Sequence, residues 1–182
     1  VQCYGQAEAP FVCTTLTPQD HVLAFEENKP GRLASCGRPS PFVRVEIMDP
    51  EGRLLGPGER GEIVARGDLV MSGYHRDPEA TARTLRGGWL HTGDVGYRDE
   101  DGYFYIVDRL KDLIITGGFN VSPGEVEQVL WSLPGIADCA VVGVPDAQWG
   151  EAVKAIVELK PGAAFDEHQL LAACREKLGG VK

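Results

Sequence analysis

The sequence predicts an α+β chain in two parts. A β-meander of the kind that builds a small barrel or sandwich comes first, and a smaller region of alternating strands and helices follows. Three observations carry this. From Phe42 to Asp49 residues alternate, with Val43, Val45 and Ile47 on one face and Arg44 and Glu46 on the other, the period of a half-buried strand. After Asp108-Arg109 the pattern switches to strand and helix in turn, which places a boundary there. The helices beyond it carry their own start signals.

In chain order, Val1 to Gly5 reads as the end of a buried strand running into a loop. Residues 9–40 hold many turn formers (Pro10, Pro18, Asn28-Lys29-Pro30-Gly31, Pro39) and read as a long connecting loop with short strands. Asp49-Pro50-Glu51-Gly52 is a turn and Gly61 to Arg66 a strand. Asp77-Pro78-Glu79 starts a short helix, with Asp as N-cap and Pro at the first helical position, ending near Gly87-Gly88. Strands resume at Trp89-Leu90 and Val95 to Arg98, then Tyr103 to Val107 after the turn Asp99-Glu100-Asp101-Gly102. Beyond the boundary, Asp112 to Thr116 is a strand ending in Gly117-Gly118. Ser122-Pro123-Gly124-Glu125 is a capping box, and its helix buries Val126, Val129, Leu130 and Leu133. Ala137 to Val144 and Ala152 to Lys160 are strands. Asp166 with Gln169 caps a last helix, whose buried face is Leu170, Leu171, Cys174 and Leu178.

Composition bounds the function. The 182 residues carry 18 basic and 27 acidic side chains, a formal charge of −9. The acids dominate on both sides of the boundary, 17 against 11 up to Asp108 and 10 against 7 after it. Neither part has the clustered positive charge of a nucleic-acid surface. Apolar runs such as Cys139 to Val144 are too short to span a membrane, and no charged segment leads into an apolar run at the N-terminus. A soluble, cytoplasmic protein is expected. Five cysteines form no C-x-x-C pair and lie near no His at metal spacing, which favours reduced, buried thiols over zinc. The chain opens inside one element and stops just after a helix-capping glycine, so it is expected to be part of something longer.

Four glycine-rich turns could bear chemistry. In Tyr4-Gly5-Gln6-Ala7-Glu8 an aromatic plane suits stacking on a flat base and the acid could hold Mg²⁺; a loop Tyr and a solvated Glu is the plainer reading. In Trp89-Leu90-His91-Thr92-Gly93-Asp94 the Asp can accept from a vicinal diol such as ribose, or close an Asx-turn. His91 has no nucleophile beside it and reads as structural. In Asp108-Arg109-Leu110-Lys111-Asp112 the cations could meet phosphate or ribose oxygens, or form a salt-bridged connection. In Thr116-Gly117-Gly118-Phe119-Asn120-Val121-Ser122-Pro123 two glycines leave room for a thin ligand against bare backbone, or form a plain strand-to-helix loop. P-loop, nucleophile-elbow and zincin motifs are absent from the sequence.

Together and in this order, these segments resemble the adenylate-forming superfamily of acyl-CoA synthetases, luciferases and peptide-synthetase adenylation domains. Gly61-Glu62-Ile63, Gly73-Tyr74, Val142-Gly143-Val144-Pro145-Asp146 and Trp149-Gly150-Glu151 add to the likeness. It covers essentially the whole chain, and Gly117-Gly118-Phe119-Asn120 is similar to the acyl- and aryl-acid CoA ligase branch. The resemblance implies a small β-barrel subdomain ending a large AMP-binding domain (residues 1–108), then a mobile α+β C-terminal domain (109–182) lacking its end. It implies ligation of a fatty or aromatic carboxylic acid to CoA through an acyl-adenylate, with ATP, Mg²⁺ and CoA. By motif, Tyr4 would stack on adenine, with Gly5 and Asn120 also toward the nucleotide, and Glu8 would hold Mg²⁺. Asp94 would bind the ribose hydroxyls and Arg109 ribose and phosphate, while Lys111 falls at the hinge. Gly117, Gly118, Phe119 and Trp149 would line the CoA side.

The sequence departs from the pattern in three respects. Ala7 stands where the family usually has Thr. The upstream phosphate loop and most of the acyl pocket are outside the chain. The family's catalytic lysine is expected beyond Lys182, so no catalytic residue is expected within these residues and the chain alone is expected to be inactive. A non-catalytic module that kept the fold, and a luciferase-like oxygenase, are the competing expectations.

Overall fold

The computed structural model describes residues 1–163 and 166–179; the expectation attached to Lys182 lies outside them. The chain forms two compact units, Val1–Val107 and Asp108–Lys182.

In the first unit, β1 (Gln2–Gln6), β2 (Ala9–Leu16) and β3 (Arg38–Pro39) form an antiparallel sheet in that order. The pairing slips at Gly5, between Tyr4↔Thr14 and Gln6↔Ala9. Residues expected as a long loop instead build the eight-residue strand β2 and helix α1 (Pro18–Glu26). The missed signal is Thr17-Pro18-Gln19-Asp20. The Asp20 N–H donates to Thr17 Oγ1 at 3.2 Å and the Thr17 N–H to Asp20 Oδ2 at 2.8 Å, a capping box with Asp in the usual Glu position. Pro18 is the first residue of a helix rather than a turn former. Asp20 is buried and also accepts from Tyr103 Oη (2.7 Å) and Arg38 Nη2 (2.9 Å), which ties α1 to the strands.

Strands β4 (Arg44–Met48), β5 (Gly61–Arg66), β6 (Leu85–Arg86), β7 (Trp89–Arg98) and β8 (Phe104–Arg109) make a second sheet of order β4-β5-β7-β6, with β8 also on β7. A bridge between Gly37 and Phe104 joins the two sheets into a curled wall. Val43, Val45, Ile47, Ile63, Ala65, Leu90 and Phe104 fill it together with Tyr4. Helix α2 (Pro78–Thr84) starts where expected, Asp77 Oδ1 accepting the Ala80 N–H at 2.8 Å. It stops before Gly87 because Leu85 and Arg86 pair with Leu90 and Trp89 as β6. The two strands expected at Trp89 and Val95 are the ends of one ten-residue strand.

In the second unit, β9 (Ile114–Thr116), β10 (Phe119–Val121), β11 (Ile136–Asp146) and β12 (Gly150–Leu159) form an antiparallel sheet of order β10-β9-β12-β11. Helices α3 (Pro123–Trp131) and α4 (Glu167–Leu178) pack on it through Val126, Leu130, Val141 and Cys174. Gly117-Gly118 is a two-residue hairpin loop between β9 and β10, not a strand-to-helix loop. Both φ angles are positive (55° and 82°), as a type I′ turn requires. Leu171, expected on the buried face of α4, is 41% exposed; Leu170, Cys174 and Leu178 make the contact. All five cysteines are free. Cys3 is exposed rather than buried, while burial pushes the Cys13, Cys36, Cys139 and Cys174 thiols up.

Candidate functional site

In the first unit the site is built on an irregularity of β7. Val64 pairs with His91 and Glu62 with Val95, so the single residue Ile63 faces Thr92, Gly93 and Asp94. Such a bulge re-aims side chains, and Gly93 at φ 72° supplies a backbone shape that a residue with a Cβ adopts at a cost. Side chains replace the missing ladder bonds. Thr92 Oγ1 donates to the Ile63 carbonyl at 2.6 Å and accepts the Asp94 N–H at 3.1 Å. The Gly93 N–H donates to Glu62 Oε1 at 3.0 Å.

Asp94 is 4% exposed. Its Oδ2 accepts from Tyr4 Oη at 2.6 Å and from Gln6 Nε2 at 2.8 Å, and the same Gln6 nitrogen reaches the Thr92 carbonyl at 2.9 Å. Strand β1 thus holds a carboxylate carried by β7, far away in sequence. Burial pushes the Tyr4 phenol far above its ordinary range, and the hydrogen bond to Asp94 raises it further; Tyr4 stays a donor at any physiological pH. Its ring belongs to the hydrophobic cluster. Glu8 is half-buried and accepts from Tyr74 Oη at 2.5 Å, which raises the Tyr74 phenol. Gly5 and Ala7 are exposed.

His91 Nδ1 lies 2.7 Å from Glu62 Oε2 and 3.0 Å from Arg86 Nη2. A carboxylate only accepts, so Nδ1 carries the hydrogen and donates to Glu62. The motif histidine therefore fastens the bulge's partner strand.

In the second unit Asp108 fastens the start of α3. Its Oδ2 accepts from Ser122 Oγ (2.5 Å) and the Gly124 N–H (3.2 Å), and its Oδ1 from the Arg109 N–H (2.8 Å). A carboxylate at a helix N-terminus is favoured by the helix dipole. Arg109 and Lys111 are exposed, Lys111 in a 3₁₀ turn (Leu110–Asp112). A cleft of about 500 Å³ runs past Asp108, Lys111, Asp112, Gly124, Glu127 and Glu151. At the hairpin, the Gly117 N–H donates to the Trp149 carbonyl at 2.9 Å. A Cβ on Gly117 would stand 2.9 Å from the Trp149 ring. Asp146 Oδ1 accepts the Gln148 and Trp149 N–H groups, each at 2.9 Å, fixing the turn that presents the indole. Gly118 and Asn120 are exposed, and Phe119 and Trp149 are 58% and 53% exposed.

The structure thus brings Tyr4 to Asp94 and Gly117 to Trp149, while Glu8 takes a separate partner in Tyr74. Gln6, Thr92 and Glu62 emerge as site residues that sequence reasoning left without a role. Thr92 and Glu62 lie inside recognised motifs, whereas Gln6 occupies a variable motif position and carried no signal. Among the described residues no group of three or more His, Cys, Asp or Glu is placed to hold a metal. None of the described helices is long and apolar enough to cross a membrane.

A curled β-sheet unit with a carboxylate-bearing bulge, followed by a hairpin–helix unit, defines an α+β protein of the acyl-CoA synthetase-like fold. The chain belongs to the AMP-binding enzyme family: residues 1–75 match that family and residues 125–182 match the AMP-binding enzyme C-terminal domain. It is 50% identical, over its full length, to the medium/long-chain-fatty-acid–CoA ligase FadD8 of Mycobacterium tuberculosis, covering 30% of that protein. It is 52% identical to a feruloyl-CoA synthase of an Amycolatopsis species, covering 35% of it. Among solved structures it resembles the O-succinylbenzoate coenzyme A synthetase of Bacillus subtilis in complex with ATP and magnesium ion. The TM-score is 0.80 at 35% identity, over 100% of this chain and 35% of that one. The chain spans about a third of the length of the curated relatives it matches.

Proposed function

We propose that this chain is part of an ATP-dependent carboxylic acid–CoA ligase. A substrate carboxylate oxygen attacks the α-phosphorus of ATP and pyrophosphate leaves; the CoA sulfur then attacks the acyl carbon and AMP leaves. The observation that carries this reading is Asp94, presented from a glycine bulge with Oδ2 held by Tyr4 and Gln6. A carboxylate so fixed suits paired acceptance from the two hydroxyls of a ribose.

Within this reading Tyr4, Gly5, Asn120 and Arg109 are nucleotide-binding residues, Arg109 by its charge. Glu8 is the Mg²⁺ ligand. That ion takes one or two protein carboxylates and fills its other positions with phosphate and water, so a single half-buried Glu8 fits. When bound, the metal neutralises phosphate charge. Gly117, Gly118, Phe119 and Trp149 form the CoA side, offering the open backbone of Gly118 and the exposed rings of Phe119 and Trp149. Residues 1–108 then belong to the large domain and 109–182 to the small one, with Lys111 at the hinge. The cytoplasm, where free thiols stay reduced, suits the five unpaired cysteines.

The test is ATP–pyrophosphate exchange by the full-length protein against a panel of fatty and aromatic acids, followed by CoA-dependent release of AMP. Exchange whose KM for ATP rises at least tenfold in Asp94→Ala supports the proposal; exchange unchanged by that substitution removes it. The 182-residue chain alone gives no exchange.

A further inference from the structure

Glu62 spends its two carboxylate oxygens on two different tasks. Oε1 takes the Gly93 N–H at 3.0 Å, and Oε2 takes His91 Nδ1 at 2.7 Å with Arg86 Nη2 at 3.5 Å. Its side chain is only 12% exposed. The bulge explains the need. The Ile63 carbonyl is engaged by Thr92 Oγ1, and even a partly buried N–H left without an acceptor carries a cost. Glu62 reaches across from β5 to β7 to supply that acceptor. His91 and Arg86, from β7 and β6, fix the carboxylate's orientation, which sets where Gly93, and hence Asp94, can lie.

We propose that Glu62 is the positioning residue of the Asp94 carboxylate, acting through the Gly93 amide. The proposal rests on the reading of Asp94 as the ribose-binding group. Glu62 touches no substrate; it sets the height and direction of the bulge, while Tyr4 and Gln6 set the side-chain rotamer. Its loss therefore weakens the grip on the ribose specifically, leaving phosphate and acid binding in place.

The measurement is the ratio of the KM for 2′-deoxy-ATP to that for ATP, in the full-length enzyme with saturating acid. Glu62→Ala is expected to raise the KM for ATP about tenfold with kcat held within about twofold, the loss of one charge-assisted hydrogen bond. The ratio falls toward one. Glu62→Gln, which keeps a carbonyl oxygen for Gly93, holds the ratio near the parent value. Glu62→Asp, which keeps the charge but withdraws it by one methylene, loses the ratio as alanine does and serves where Glu62→Ala does not fold. A purely structural Glu62 would lower the melting temperature without moving this ratio. An Asp94→Ala variant that leaves the ratio unmoved overturns the ribose reading and this proposal together. An Asp94→Ala variant that collapses the ratio, beside Glu62→Ala and Glu62→Asp variants that do not, overturns the Glu62 assignment alone.

Discussion

Tyr4 and Asp94, ninety positions apart, are joined by a 2.6 Å hydrogen bond inside the curled sheet. The phenol is raised by burial, so it donates throughout the working range. Tyr4→Phe retains the ring in the hydrophobic cluster and removes only the hydroxyl. The expected result is a loss of about 1–3 kcal/mol of stability, read as a lower melting temperature of the 182-residue chain, and a raised KM for ATP in the full-length protein.

Asp20 contributes to the acid sensitivity of the first unit. Burial alone would raise its carboxyl, but hydrogen bonds from Thr17 and Tyr103, with Arg38 alongside, hold it at about 2. A carboxyl depressed in the folded state stabilises above its unfolded value, near 3.9, and that stability fades as pH falls toward 2. The contribution is about 2 kcal/mol. Asp20→Asn is expected to lower stability at pH 7 by at least that much and to flatten the dependence between pH 4 and 2, as chemical denaturation at several pH values will show.

Gly93→Ala separates backbone shape from crowding. A Cβ there meets nothing within 4 Å, so its cost comes from φ 72° alone, about 1 kcal/mol or more. Thermal unfolding measures it. If the melting temperature is unchanged, the bulge does not need glycine.

Gly117→Ala makes a different demand, because the added methyl runs into the Trp149 ring. The indole must move, and its fluorescence maximum should shift. In the full-length protein the CoA-dependent half-reaction is expected to slow at least tenfold, with pyrophosphate exchange within twofold, the mark of a group on the thiol side.

Ser122→Ala takes from α3 the hydroxyl that accepts the Glu125 N–H and donates to Asp108. About 1 kcal/mol of stability should be lost, detectable as faster amide exchange in the first turn of α3.

The helices α2, α3 and α4 were legible because Asp77, Ser122 and Asp166 each cap a helix with a short polar side chain that accepts a backbone N–H. Helix α1 was hidden because Pro18 and Pro10 read as breakers and the cap closes with Asp20 rather than Glu. The short strands β6 and β10 were hidden because a strand of two or three residues has no periodicity; only its partner defines it. Leu171 was misplaced by one position of helical phase, an ambiguity that the unbroken apolar run Leu170-Leu171-Ala172-Ala173-Cys174 on α4 leaves open. At the site, Asp94 stood out by its Thr-Gly-Asp setting. What holds it did not, since Gln6 and Glu62 act across 88 and 31 positions through contacts that exist only once the strands have paired.

The bulge in β7 carries a lesson for anyone wishing to transplant this carboxylate. Moving Thr92-Gly93-Asp94 alone into another sheet would strand an amide and let the loop relax. The smallest portable piece is three strands: the one bearing the acid, its neighbour bearing Glu62, and the one bearing Tyr4 and Gln6.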